Sequence, residues 1–237
     1  MNSKTILKSV LCLGVMSALS GCLGNSGGAG AGGAGGGGGG AGGGGGGSTG
    51  FEAAYDAASN KGPTTDMPTR LAAEYNGQFK AGVNSGSIGK INQNVEVIGD
   101  VKVTVDWADG QTTNPFSGTA SNIVVTDVVS GASETLTGTL GVDAGIGGTI
   151  ARTSVPSSVV AGVTIPELNT GSFQFGMSGD LSGSEGNIEA TVLVGGNFHG
   201  PGAESMVGVV SGGFKEEGSS NPAIFDAGIG GVIYLNK

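Results

Sequence analysis

From Val97 to Trp107 every second residue is apolar or glycine, in the order Val97, Gly99, Val101, Val103, Val105, Trp107. The residues between them are mostly polar: Glu96, Ile98, Asp100, Lys102, Thr104 and Asp106. A period of two puts alternate side chains on opposite faces of an extended chain, so this stretch reads as a strand with one buried and one wet face. The same alternation recurs in Tyr75–Ala81, Phe116–Ala120, Leu136–Val142, Phe173–Met177, Ile188–Phe198, Met206–Val210 and Phe225–Leu235. Turn residues separate these runs, which makes eight strands in an all-β domain.

Glycine sits within the apolar phase of several of these strands, as in Tyr75-x-Gly77-x-Phe79 and Val194-x-Gly196-x-Phe198. Glycine weakens a strand, so its repetition needs a reason. In a small closed barrel the interior accepts only alternating large and small side chains, and glycine permits the coiling that closure demands. Of 52 glycines, 31 follow Gly50. The expected architecture is an eight-stranded antiparallel β-barrel with a filled interior; a two-sheet sandwich is the alternative. The octapeptide Asp143–Ile150 closely matches Asp226–Ile233, which reads either as two duplicated four-stranded halves or as chance in a glycine-rich chain. Residues 152–170, with Pro156 and Pro166, form the longest connection and the expected partner-facing loop.

The first 21 residues read as a lipoprotein signal peptide. Lys4 and Lys8 give a basic start, Val10–Leu19 an apolar run too short to span a bilayer, and Leu19-Ser20-Gly21-Cys22 a bacterial lipobox. Cleavage there makes Cys22 the lipid-anchor residue and the only cysteine left, since Cys12 leaves with the leader. No intrachain disulfide can then form. Two or three acyl chains suffice for stable anchoring, and Leu23 in place of an aspartate favours the outer membrane. Residues 22–50 are nearly pure glycine and cannot bury enough apolar surface to offset their ordering entropy. They are expected to be a disordered tether with a typical reach of roughly 30 Å. Residues 51–66 are expected to be a short helix or linker, and 67–237 the barrel.

Loss of the leader leaves eight basic and nineteen acidic residues, a net charge of about −11. That balance argues against nucleic acid and anionic head groups, and favours a basic partner surface. No catalytic set assembles. His199 is the only histidine, so a histidine-rich metal centre is excluded, and it reads as a partly exposed turn residue. No metal site, cofactor or enzyme activity is expected. A membrane-spanning barrel would need aromatic girdles, yet the chain holds only 12 aromatic residues and sets Lys80, Asp100, Lys102, Asp106 and Glu189 on the second face of its strands.

Residues 195–210 (GGNFHGPGAESMVGVV) join two strands through Gly200-Pro201-Gly202, with Ala203-Glu204 expected to start the return strand. This segment resembles the G-x-F-Y-G-P-x-A-x-E-x-x-G-x-F signature of the transferrin-binding-protein-B-like barrel domains of surface lipoproteins. His199 stands at the usual tyrosine and Val210 at a frequent phenylalanine. Weaker similarity extends to Met67-Pro68-Thr69 and to Phe116-x-Gly118-x-Ala120-Ser121-Asn122. The resemblance implies an eight-stranded barrel on an N-terminal lipid, often carried to the cell surface by an outer-membrane translocon. It implies no particular ligand, because members of the family bind transferrin, haem proteins or complement regulators through differing loops.

The expected function is a monomeric, outer-membrane-anchored and surface-exposed binding lipoprotein whose barrel and loops engage a host or environmental protein or a haem-type ligand. The alternatives are a structural envelope lipoprotein facing the periplasm and a lipocalin-like carrier, which requires a cavity inside the barrel.

Overall fold

The computed structural model describes residues 48–84, 92–160, 163–220 and 224–237. One helix, α1 (Ser48–Ser59), precedes the strands β1 (Arg70–Asn84), β2 (Asn92–Ala108) and β3 (Phe116–Asp127). Three short pieces follow: β4 (Ser133–Thr135), β5 (Thr137–Gly138) and β6 (Leu140–Val142). Then come β7 (Gly148–Val155), β8 (Ser158–Val160), β9 (Val163–Ile165), β10 (Leu168–Gly183), β11 (Gly186–His199), β12 (Ser205–Glu216) and β13 (Ala227–Asn236).

The pairing closes on itself, and the named strands all pair antiparallel. β1 pairs with β2, β2 with β3, β10 with β11, β11 with β12, β12 with β13, and β13 returns to β1. Between β3 and β10 runs an interrupted strand: β4 pairs with β3, β5 with β10, and β6 with both. The chain is therefore an eight-stranded antiparallel β-barrel, and all eight alternating segments lie in its wall. β10 is long enough to pair in succession with β7, β6 and β5 along one side. Between β6 and β7 the chain turns at Asp143, whose Oδ1 accepts the Gly145 amide at 2.6 Å while its Oδ2 accepts the Ser178 hydroxyl at 2.7 Å.

The apolar phase fills the interior. Tyr75, Val103, Val105, Phe175, Phe198, Met206 and Leu235 are fully buried there. Phe116 stacks at a tilt 4.8 Å from Phe175, and Phe173 meets Phe198 edge-on at 5.4 Å. Gly99 shows the large–small logic. It pairs with Phe79, and a Cβ there would lie 2.5 Å from the Phe79 ring. Next to it β3 bulges: Asp100 pairs with Ser121 but Ile98 with Val124, so Gly99 faces two residues. One of them, Asn122, takes a left-handed φ of 50° and donates from its amide to Asp100 at 2.9 Å. Such a bulge sharpens the local twist and helps the wall curve. The paired glycines Gly196 and Gly208 bring β11 and β12 so close that a Cβ on either would collide with the other strand's backbone.

The outer face carries ion pairs, Lys80 to Glu96 at 2.8 Å and Lys102 to Glu74 at 2.9 Å. One outer patch is apolar, and α1 covers it: Phe51 and Ala58 pack on Val207 and Tyr234, with the Phe51 ring edge-on to Tyr234 at 5.3 Å. Burying a side chain like Phe51 contributes about 1.5–3 kcal/mol. That contact explains why a helix of 12 residues, marginal alone, forms at Ser48–Ser59.

Two rims follow from the strand directions. The first gathers Arg70, Ala108, Phe116, His199, Ser205 and Asn236; the second gathers Asn84, Asp127, Gly183, Gly186, Glu216 and Ala227. The matching octapeptides do not occupy equivalent places. Asp143–Gly147 is a turn, whereas Ala227–Ile233 lies within β13.

Candidate functional site

Cys22, the expected lipid anchor, lies outside the described residues, as do the leader and most of the glycine tether. What is described begins at Ser48, with the helix that packs on the barrel wall. Phe51 sits over the outer wall beside Tyr234 and Lys80, and the helix ends at the first rim, where the Ser59 carbonyl lies 3.3 Å from His199 Nδ1.

From there residues 60–67 strap the first rim shut. Backbone hydrogen bonds run from Gly200 N–H to Gly62, Thr64 N–H to Phe198, Met67 N–H to Asn169 and Asn169 N–H to Thr65. Met67 fills the mouth, packed so tightly against Gly171 that a Cβ there would lie 2.7 Å from its sulfur. The turn of the 195–210 signature forms the other half of this cap. Ala203 has a left-handed φ of 61° and is fully buried, and its carbonyl accepts the Tyr75 hydroxyl at 2.6 Å. Burial pushes the Tyr75 phenol well above its ordinary range, so it stays a donor. Ala203 and Glu204 belong to the turn and β12 starts at Ser205, because the backbone must reverse through Gly202 and Ala203 before pairing can resume. The Asp66 carboxylate accepts the Gly202 amide at 2.7 Å and the Thr64 hydroxyl at 2.9 Å. The Gly202 amide, then the Thr64 hydroxyl, outweigh desolvation and hold that carboxyl below its ordinary value. Lys237 donates to the Gly202 carbonyl at 2.6 Å, which binds the chain's final residue to the same turn.

His199 closes β11, half-buried beneath this cap, and is not a turn residue. Its backbone bridges Pro63 and its ring meets the helix end, so its observed contacts hold the strap in place.

Beside the cap rises an arm. β7 pairs with the start of β10 from Arg152–Gly171 to Val155–Leu168, and Arg152 Nε donates to the Met67 carbonyl at 3.0 Å. Past that anchor the chain continues beyond the rim into a separate two-stranded sheet, with Ser158 opposite Ile165, Val159 opposite Thr164 and Val160 opposite Val163. The segment expected to be a loop is thus a hairpin arm. Pro156 and Pro166 read as breakers, yet they stand just outside the paired residues, and Val160-Ala161-Gly162-Val163 has the two-residue spacing of a hairpin. Val159 is 70% exposed and Val163 66%, and Val155, Val160 and Ile165 are exposed as well. Residues 153–166 carry no charge.

The second rim differs. Asp127, Glu134, Asp180, Glu189, Glu216 and Glu217 cluster around it, and a groove of about 510 Å³ on its outer side is lined by Asp180, Glu189, Lys215 and Glu217 among others. Inside the wall near this rim, a gap of about 50 Å³ lies among Val83, Val95, Ile123, Leu136 and Phe214. Among the described residues no three His, Cys, Asp or Glu side chains converge as a metal site would require.

Set against protein-family models, curated proteins and solved structures, the chain matches none of them.

Proposed function

We propose that this chain is an outer-membrane-anchored, surface-exposed lipoprotein that binds a protein partner through the arm beside its capped rim, with Cys22 as the lipid anchor. The arm carries the reading. It places five exposed aliphatic side chains on an uncharged hairpin that projects from an otherwise acidic barrel, whereas isolated exposed hydrophobics on a monomer call for no explanation. The helix supports the same arrangement, because the chain reaches the barrel part-way along the wall while the arm leaves from the rim toward which α1 runs. The turn built on Gly200-Pro201-Gly202 fits the family resemblance, in which loops on a constant barrel carry recognition. A lipocalin-like carrier requires a pocket of about 300–1,000 Å³, several times the 50 Å³ gap in the wall's interior.

Protease treatment of intact cells tests surface display. Digestion of the barrel's tether without lysis is expected; full protection until the cells are broken would place the domain in the periplasm and defeat the proposal. Metabolic labelling with a clickable palmitate analogue tests the anchor, and a Cys22→Ser chain is expected to lose the label.

A further inference from the structure

We infer that the β8–β9 arm is a self-pairing edge through which two copies of this chain meet. The inference rests on the reading of the arm as a partner-binding element and names a second copy as that partner; it does not depend on the lipid anchor or on where the barrel is displayed. β8 and β9 pair only with each other, so each has an outer edge without a strand partner among the described residues. Unpaired strand edges are templates for another strand, and folded proteins blunt them with charges, prolines or short length. This arm has the prolines and the shortness but no charge anywhere in residues 153–166.

A second copy is the occupant that the chemistry favours. When β9 is laid antiparallel to its own copy with Thr164 on the two-fold axis, Val163 of each copy stands opposite Ile165 of the other. Val160, already opposite Val163, extends the same face. Aliphatic β-branched pairs directly across strands are favourable, and a two-fold contact through β9 is self-complementary, the same residues serving both copies. The charge distribution permits the approach. The acidic cluster surrounds the second rim, at the far end of the barrel from the arm. The carboxylates at the arm's own rim are each engaged: Asp66 by the Gly202 amide, Asp109 by Arg152, Glu167 by Ser154 and Asn169, and Glu204 by Lys61. The contact is small, well below the ~800 Å² per partner of a standard interface, so the dimer is weak in solution and gains from any confinement that raises the effective concentration. A bilayer is the less favoured occupant, because the acidic body resists anionic head groups. This departs from the monomer expected from sequence, which treated residues 152–170 as a connection.

Sedimentation equilibrium of the full chain purified in mild detergent tests the inference. A concentration-dependent monomer–dimer equilibrium is expected, with a dissociation constant in the range of about 10 µM to 1 mM. Ile165→Lys and Val160→Lys are expected to weaken it at least about tenfold, while Val128→Lys at the opposite rim leaves it unchanged. Circular dichroism and the urea midpoint should stay the same for all three variants, since these residues lie outside the core. A monomer at every concentration would overturn the inference, as would a dimer indifferent to Ile165→Lys. Monomers that bind phosphatidylcholine vesicles through Ile165 would overturn it too and assign the arm to a lipid surface.

Discussion

Two valine-rich stretches of this chain end in opposite places. In β2, Val95, Val97, Val101, Val103 and Val105 are all buried; in the arm, Val155, Val159, Val160 and Val163 are all exposed. Both stretches are extended and antiparallel-paired, so backbone pairing alone does not decide burial. The difference is the layer opposite. β2 turns these valines into the apolar interior that the closed wall surrounds, whereas the β8–β9 sheet is a single ribbon with no second layer in the described structure. An alternating pattern specifies a strand, and only closure gives one of its faces an inside.

The sharpest way to break this comparison is to put the same charge into each stretch. Val103→Asp buries a carboxylate among apolar side chains and is expected to prevent folding, costing several kcal/mol or more; a cooperative urea transition in that variant would refute the filled-interior account. Phe51→Ala should cost about 3–5 kcal/mol if the helix patch is core in the sense that β2 is, and proteolysis should then cut at residues 48–60 while sparing the barrel. Tyr75→Phe leaves the buried Ala203 carbonyl without its donor and should lower stability by about 1–3 kcal/mol, read from the urea midpoint.

The cap adds a pH dependence. Because the folded Asp66 carboxyl is held below its unfolded value of about 3.9, its contribution is fully present above that pH and is lost as the pH falls through the lower folded value. Thermal stability should therefore be level near neutrality and drop below about pH 4, and Asp66→Asn should make that drop shallower without removing it, because Glu74, Asp127, Asp143 and Glu167 are also held below their ordinary values. The smallest effect belongs to the arm. Val160→Asp should change monomer stability by no more than about 0.5 kcal/mol, and a larger loss would mean that the arm belongs to the core after all.

The wall was legible because eight alternating runs keep one phase across each strand, and the interior glycines signalled closure through their position among large side chains. Other features depended on contacts that no local pattern encodes. α1 is held on the wall because Phe51 finds Tyr234, some 180 residues away in sequence, and the fourth strand is broken because β4 and β5 take different partners. The arm was masked by Pro156 and Pro166, which normally end strands and here merely flank a short one. The turn at Ala203 was misplaced by two residues because its left-handed backbone is held by Tyr75, far away in the chain. At the candidate site, residues 152–170 read as a long connection between strands, and neither their hairpin register nor the strap beside them could be found there, since both depend on pairing with distant residues.

The seam between β1 and β13 carries a consequence for time. Nine residue pairs, from Asn76–Asn236 to Asn84–Gly228, join the first wall strand to the last. The chain cannot seal its barrel until β13 has emerged, and contacts so distant in sequence slow folding because a large loop must close before they can form. During synthesis the barrel therefore stays unsealed until its last wall strand is available, and the edge of β1 that β13 will cover remains open to other strands for that whole interval.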